Sequence, residues 1–221
     1  MKNFISTTLH TLVYHTRYSG AHVINKENVA EHSYFVTLLA DLIAEDIEKT
    51  KKVKVDRLMI LRMALYHDTE EAYTGDLITP VKNRSRDLKK EWDKLSSLMM
   101  QEGLQHDFKG QAHIKNYIMS VHTTYETYKH EKLENQIVKF SDGLQSIIYL
   151  LREIGFGNRH VNSILQNVIE TMLSRFGKHE LLGKYVTDLE KIVRASLAKQ
   201  EHSPFHSSAV QSKGTDNRTE K

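Results

Sequence analysis

Scarcity of turn residues constrains this chain more than any other feature. In 221 residues there are 10 glycines and 2 prolines, where average usage gives roughly 15 and roughly 11. A β-sandwich or barrel of this length needs a turn about every 8–12 residues, and each turn draws on those two residue types. Long helices joined by short loops need the fewest, so the composition predicts an all-α chain. A length of this order buries one sizeable core, and residues 1–200 are expected to form a single helical domain. Pro80 is the one proline inside that region and marks a special place.

Other absences narrow the function. There is no cysteine, which removes disulfides, thiolate metal sites and cysteine nucleophiles together. A net charge of +3 is too small to argue for nucleic acid or a membrane surface as partner, and neither is expected. No apolar run approaches the roughly 18 residues of a membrane span. The opening Met1–Thr7 lacks the apolar stretch of a secretory signal, so a cytoplasmic setting is expected. Residues 201–221 are polar and lack apolar periodicity, which reads as a disordered tail.

Apolar spacing then places the helices. Asn28 is a good N-cap with Glu31 three residues on, as in a capping box. Phe35, Leu38, Leu39, Leu42, Ile43 and Ile47 follow as the inward face. Asp56 caps a second helix carrying Leu58, Leu61, Ala64 and Leu65, which runs into Tyr66-His67-Asp68 and stops by Gly75 and Pro80. Leu88 to Met100 is a third, with Trp92, Leu95, Leu98 and Met99 inward, followed by a polar loop from Gly103 to Gly110. Ile114, Ile118 and Val121 mark a fourth, Leu133 to Leu151 a fifth, and Val161 to Phe176 and Leu181 to Leu197 two more. A short segment around Leu9, Leu12 and Val13 precedes them all.

Thirteen histidines are too many to all carry chemistry. His32 lies three residues before Phe35 and seven before Leu39, which puts it on the inward face of its helix. His67-Asp68 closes an apolar helix. Asp142 stands inside the apolar run Ile137 to Leu144, where a carboxylate needs a cation or strong donors. Two imidazoles and two carboxylates suit one divalent cation such as Mn²⁺, Co²⁺, Fe²⁺, Zn²⁺ or Mg²⁺. Glu70, Glu71 and Asp76 lie near enough in sequence to orient water or move protons. Taken alone, a residue like His32 is more often a hydrogen-bonded core histidine than a ligand, and Asp142 is open to buffering by Lys139 or a helix terminus. A second pair, His106-Asp107, sits in the expected loop and reads as chance.

The order His32, His67-Asp68, Asp142 resembles the H…HD…D signature of the HD-domain metal-dependent phosphohydrolases. The strings Asn28-Val29-Ala30-Glu31-His32-Ser33, Tyr66-His67-Asp68-Thr69-Glu70-Glu71, Thr74 through Lys82, and Val138-Lys139-Phe140-Ser141-Asp142 are similar to the bacterial 5'-deoxynucleotidase branch over roughly the first 195 residues. The resemblance implies an HD-domain helical bundle with a metal site between helices. His32, His67, Asp68 and Asp142 match its metal ligands. Arg17 matches an arginine that orients the substrate phosphate. Asp76, Leu77, Ile78 and Thr79 match a loop that contacts the nucleotide, as do Asp68 and Asp142, and Glu71 matches an acidic residue beside the metal. Lys82 is either a second phosphate contact or a surface lysine. Two positions depart from the pattern: Tyr18 stands where a tryptophan packs near the sugar, and Ile78 where a proline stiffens the loop. The implied activity is hydrolysis of a nucleoside 5'-monophosphate by a homodimer. Cleavage of a deoxynucleoside triphosphate, and nucleotide binding without turnover, stay open on the same ligand set.

Overall fold

The computed structural model describes residues 2–77, 84–127 and 132–201. Ile78, Thr79, Pro80, Lys82, Tyr128 and the segment 202–221 lie outside the described residues. Among the described residues the regular structure is helical, apart from one isolated antiparallel bridge between Thr16 and Asn28. A short helix, α1 (Lys2–Ile5), and a 3₁₀ helix (Thr8–Val13) lead into α2 (Val29–Lys51), α3 (Arg57–Tyr66) and the single turn α4 (Glu71–Thr74). Then come α5 (Arg86–Asp107), α6 (Ala112–Thr127), α7 (Leu133–Gly155), α8 (Asn162–Phe176) and α9 (Gly183–Glu201).

Local signals set the helix starts. Asn28 accepts from the Glu31 N–H while the Glu31 carboxylate accepts from the Asn28 N–H, the expected capping box. Asp56 caps α3 through the Met59 N–H, and Ser85 caps α5 through the Leu88 N–H.

α7 is the central element. It packs on α2, α3 and α8, and α9 packs on α8. The main core joins Val36, Ala40, Ile43, Ala44 and Ile47 of α2 to Ile60, Met63 and Ala64 of α3 and to Ile137, Phe140, Ile147 and Leu150 of α7. The expected inward face of α2 was displaced by part of a turn. Ile43 and Ile47 are buried, but Phe35, Leu38 and Leu42 are 43%, 43% and 57% exposed. Ala40 and Ala44 take the seam instead, fully buried. Small side chains let the helix axes approach, so close packing selected a face that hydrophobicity alone ranks second.

A second cluster holds Met100, Leu104, Phe108 and Ile118, with Leu9, Tyr66 and Tyr73 against it. The polar loop expected from Gly103 to Gly110 is not there: α5 continues through Gly103 to Asp107. Gly103 is not a breaker but a seat. A Cβ on it would fall 2.1 Å from the Tyr73 ring. Leu95 and Leu98, expected inward, are about half exposed, because the packed face of α5 runs through Ser96, Met100, Leu104 and Asp107.

Asp107 corrects a further expectation. His106 is a bystander, with its side chain 90% exposed, but the Asp107 side chain is 2% exposed. It accepts from Thr7 Oγ1 at 3.0 Å, Thr8 N at 2.6 Å, Thr8 Oγ1 at 2.9 Å and Tyr73 Oη at 3.1 Å. That carboxylate ties the 3₁₀ helix and α4 to the end of α5. It holds the structure together and takes no part in a metal cluster.

Candidate metal centre

α2, the α3–α4 junction and α7 bring the four expected ligands together. His32 lies on the buried face of α2 and is 0% exposed. His67 is the residue that ends α3, with Asp68 after it. Asp142 is on α7. His32 Nε2 lies 3.2 Å from His67 Nε2, 3.5 Å from Asp68 Oδ2 and 3.4 Å from Asp142 Oδ1, and His67 Nε2 lies 3.1 Å from Asp68 Oδ2. Ligand atoms of His32, His67 and Asp68 all fall within 4.8 Å of one another, a group that could hold a metal ion. The donor chemistry fits. His67 Nδ1 lies 2.8 Å from the Ala64 carbonyl; a carbonyl only accepts, so that nitrogen carries a proton, and in the neutral, metal-binding form of the ring the lone pair is on Nε2, the atom facing the cluster.

The electrostatics follow from burial and neighbours. Burial opposes ionisation of Asp68, but the charge and hydrogen bond of His67, with Arg17 behind them, outweigh it and hold the carboxyl well below the ordinary range. Asp142 is lowered likewise: burial opposes, and the His32 hydrogen bond and the Lys139 charge prevail. Burial, then the charge of Arg17, lowers His32 and keeps it neutral, the form that binds metal. Glu71 goes the other way. Burial and the carboxylates of Asp68, Asp76 and Glu70 push it up to about 10. Its Oε2 is buried without a hydrogen-bond partner among the described residues.

Arg17 reaches the cluster because residues 15–17 pair with the chain entering α2: Arg17 N–H donates to the Glu27 carbonyl at 2.9 Å, and Val29 N–H to the His15 carbonyl at 3.0 Å. Its guanidinium is raised above its ordinary value: burial lowers it, but Tyr18, Asp68, Asp142 and Glu27 overcome that. Tyr18 takes a left-handed backbone conformation, φ 56°, a strained choice for a large side chain. Its ring stacks on Tyr149, 5.0 Å apart and 8° from parallel. Asp76 and Leu77 are the last described residues of the loop expected to contact a nucleotide, and its other two members, Ile78 and Thr79, lie outside the described residues.

Glu27, Gln145 and His122 neighbour this centre without having stood out in the sequence, and Lys139, expected as a buffer of Asp142, joins them. Glu27 and Gln145 contact Arg17, His122 Nε2 donates to the Glu70 carboxylate at 2.8 Å, and Lys139 Nζ sits 4.0 Å from the centroid of the buried Tyr125 ring. Lys139 and Gln145 are three residues either side of Asp142 on α7, the spacing at which helical residues share a face. That signal was available.

The family model described as 5'-deoxynucleotidase YfbR-like matches residues 3–187. The chain belongs to that family. Among curated YfbR-like relatives, a 5'-deoxynucleotidase of Photorhabdus laumondii is 32% identical over 163 residues, covering 69% of this chain and 74% of the relative. One of Vibrio vulnificus is 33% identical over 146 residues, covering 61% and 66%. Solved structures share the fold. An HD-domain phosphohydrolase of Listeria innocua superposes with a TM-score of 0.69 at 24% identity, over 94% of this chain and 96% of that one. The cyanophage S-2L HD phosphohydrolase, described as bound to dA and one catalytic Zn²⁺ ion, gives a TM-score of 0.62 at 16% identity, over 85% and 95%. The YfbR-like fold is therefore all-α, as its turn-poor composition predicts.

Proposed function

We propose that the chain is a metal-dependent 5'-nucleotidase that hydrolyses (deoxy)ribonucleoside 5'-monophosphates to nucleoside and phosphate. The observation that carries this reading is the convergence of His32, His67, Asp68 and Asp142 with a partly buried guanidinium, Arg17, beside them. Membership of the YfbR-like family and the 5'-deoxynucleotidase relatives support it. The four side chains would hold one divalent cation, which when bound supplies Lewis acidity toward water and a phosphoryl oxygen. Arg17 orients the phosphate; a guanidinium carries five N–H donors, more than its present contacts consume. Burial and neighbouring carboxylates favour the protonated form of Glu71, which suits it to pass a proton to the departing 5'-oxygen as water adds to phosphorus and the P–O5' bond breaks. Asp76 positions water or substrate. Tyr18, Asp68, Leu77 and Asp142 line the nucleotide, and the matched positions Ile78 and Thr79 carry the same assignment from the resemblance.

The test is a panel of ribo- and deoxynucleoside mono- and triphosphates incubated with the protein and Mn²⁺ or Co²⁺, with products separated by chromatography. Nucleoside plus orthophosphate from monophosphates is the expected result, and it disappears on exhaustive chelation. Nucleoside plus triphosphate, or turnover by metal-free protein, overturns the reading.

The enzyme acts in the cytoplasm as a homodimer. α2 leaves Phe35, Leu38 and Leu42 exposed at helical spacing, an apolar stripe that a second copy would cover. Leu38→Glu is expected to turn a dimer into a monomer by sedimentation equilibrium while leaving helical content unchanged.

A further inference from the structure

Glu27, Gln145, Arg17 and His32 form one closed hydrogen-bonded group on the side of His32 away from the metal centre. Gln145 Nε2 lies 2.5 Å from Glu27 Oε1. A carboxylate only accepts, so the amide nitrogen must face Glu27 and the amide oxygen must face the other way. That oxygen, Oε1, lies 2.6 Å from His32 Nδ1 and 3.2 Å from Arg17 Nη1. Arg17 Nη1 is itself 3.2 Å from Glu27 Oε2 and 2.5 Å from His32 Nδ1. Glu27, Gln145 and His32 are all buried, so water is not at hand to replace a lost partner.

The last contact creates a choice. His32 Nδ1 can accept from Arg17, or it can donate to Gln145. If it accepts, the imidazole proton sits on Nε2, the atom that faces Asp68 and Asp142, and the ring cannot ligate through it. If it donates, Nε2 presents a lone pair to the cluster.

We propose that Glu27 and Gln145 are positioning residues that hold His32 in its Nδ1-protonated form and, through the same amide oxygen, align Arg17 beside it. Glu27 sets which way the Gln145 amide points, Gln145 sets the His32 tautomer, and the guanidinium shares the oxygen that does so. The phosphate clamp and a metal ligand are thereby oriented by one side chain. The metal part of this inference rests on the centre proposed above; the tautomer part does not.

The experiment labels histidine with ¹⁵N and reads the ring nitrogens of His32 in metal-free protein by long-range proton–nitrogen correlation, assigned by their loss in His32→Gln. Co²⁺ affinity is measured on the same samples by calorimetry. Wild type is expected to show the Nδ1–H tautomer. Gln145→Met, nearly the same volume without donor or acceptor, should shift His32 to Nε2–H, and Co²⁺ binding should weaken about 10- to 100-fold, the range for residues that orient a ligand. The exchange Glu27→Gln with Gln145→Glu keeps the total charge and satisfies each donor again, so it should restore the Nδ1–H tautomer and most of the affinity. Gln145→Met with the wild-type tautomer and Co²⁺ affinity within twofold would overturn the proposal. So would an exchanged pair that stays in the Nε2–H form, which keeps the test decisive where Gln145→Met does not fold. If wild type and His32→Gln bind Co²⁺ alike, the metal-centre reading fails instead, and the tautomer result still judges Gln145.

Discussion

Asp142→Asn is expected to lower kcat/KM by more than about 100-fold, beyond the usual effect of residues that only orient a metal ligand, while circular dichroism stays that of the wild type. Aspartate and asparagine have nearly the same shape, so the packing of α7 against α2 and α8 should persist. What changes is charge. A cation here would bind His32 and His67 as neutral imidazoles, so Asp68 and Asp142 are the two negative groups whose oxygens reach the cluster. Together they offset a divalent cation; one alone leaves an uncompensated charge in a recess walled by protein, where such charges are expensive. Metal content counted by elemental analysis should fall in parallel with turnover. An Asp142→Asn protein that keeps both would move the centre elsewhere and remove the main support for the proposed activity.

Asp107→Ala is expected to destabilise the protein by about 3 kcal/mol, since it strips several hydrogen bonds from one buried carboxylate. For a chain of this size that lowers Tm by roughly 6–12 °C. Its neighbour serves as the control: His106→Ala, at an exposed side chain, should leave Tm unchanged. The pH dependence carries a definite sign. Burial opposes ionisation of Asp107, but the Thr8, Thr7 and Tyr73 hydrogen bonds win and depress its pKa. A depressed carboxyl stabilises the fold fully above its unfolded value, near 3.9, and the contribution is lost as pH falls through the lower folded value. The Tm gap between wild type and Asp107→Asn should therefore be full at pH 7 and close below about pH 4. A gap that widens on acidification would contradict the role assigned to this carboxylate.

The two aspartates divide what a sequence can and cannot disclose. His67-Asp68 and His106-Asp107 are the same dipeptide, and both second members are linked to the chain's remote parts. Apolar context distinguished the first pair correctly as the one near a metal-competent cluster. It missed the second because the partners of Asp107 are Thr7, Thr8 and Tyr73, residues whose hydroxyls announce nothing until the chain is folded. Gly103 misled for a related reason. Glycine in a polar stretch reads as a break, yet here it is the gap into which the Tyr73 ring fits.

Interactions spanning a turn or two of helix were determined by the sequence alone. The capping box at Asn28 and Glu31, the cap at Asp56, and the all-α class implied by few turn residues depend on groups a few positions apart, so local spacing contains the physics. That His32, His67, Asp68 and Asp142 meet was legible too, because a histidine on an inward helix face and an aspartate in an apolar run both need a partner wherever the chain goes. Which face of α2 turned inward was decided only in three dimensions. Ala40 and Ala44 won over Phe35, Leu38 and Leu42 because packing density rewards close approach between helices, a quantity no single helix possesses. The same holds for the orientation of the site. Glu27 and Gln145 are 118 positions apart, and a hydrogen bond between them exists only after α7 has packed against α2.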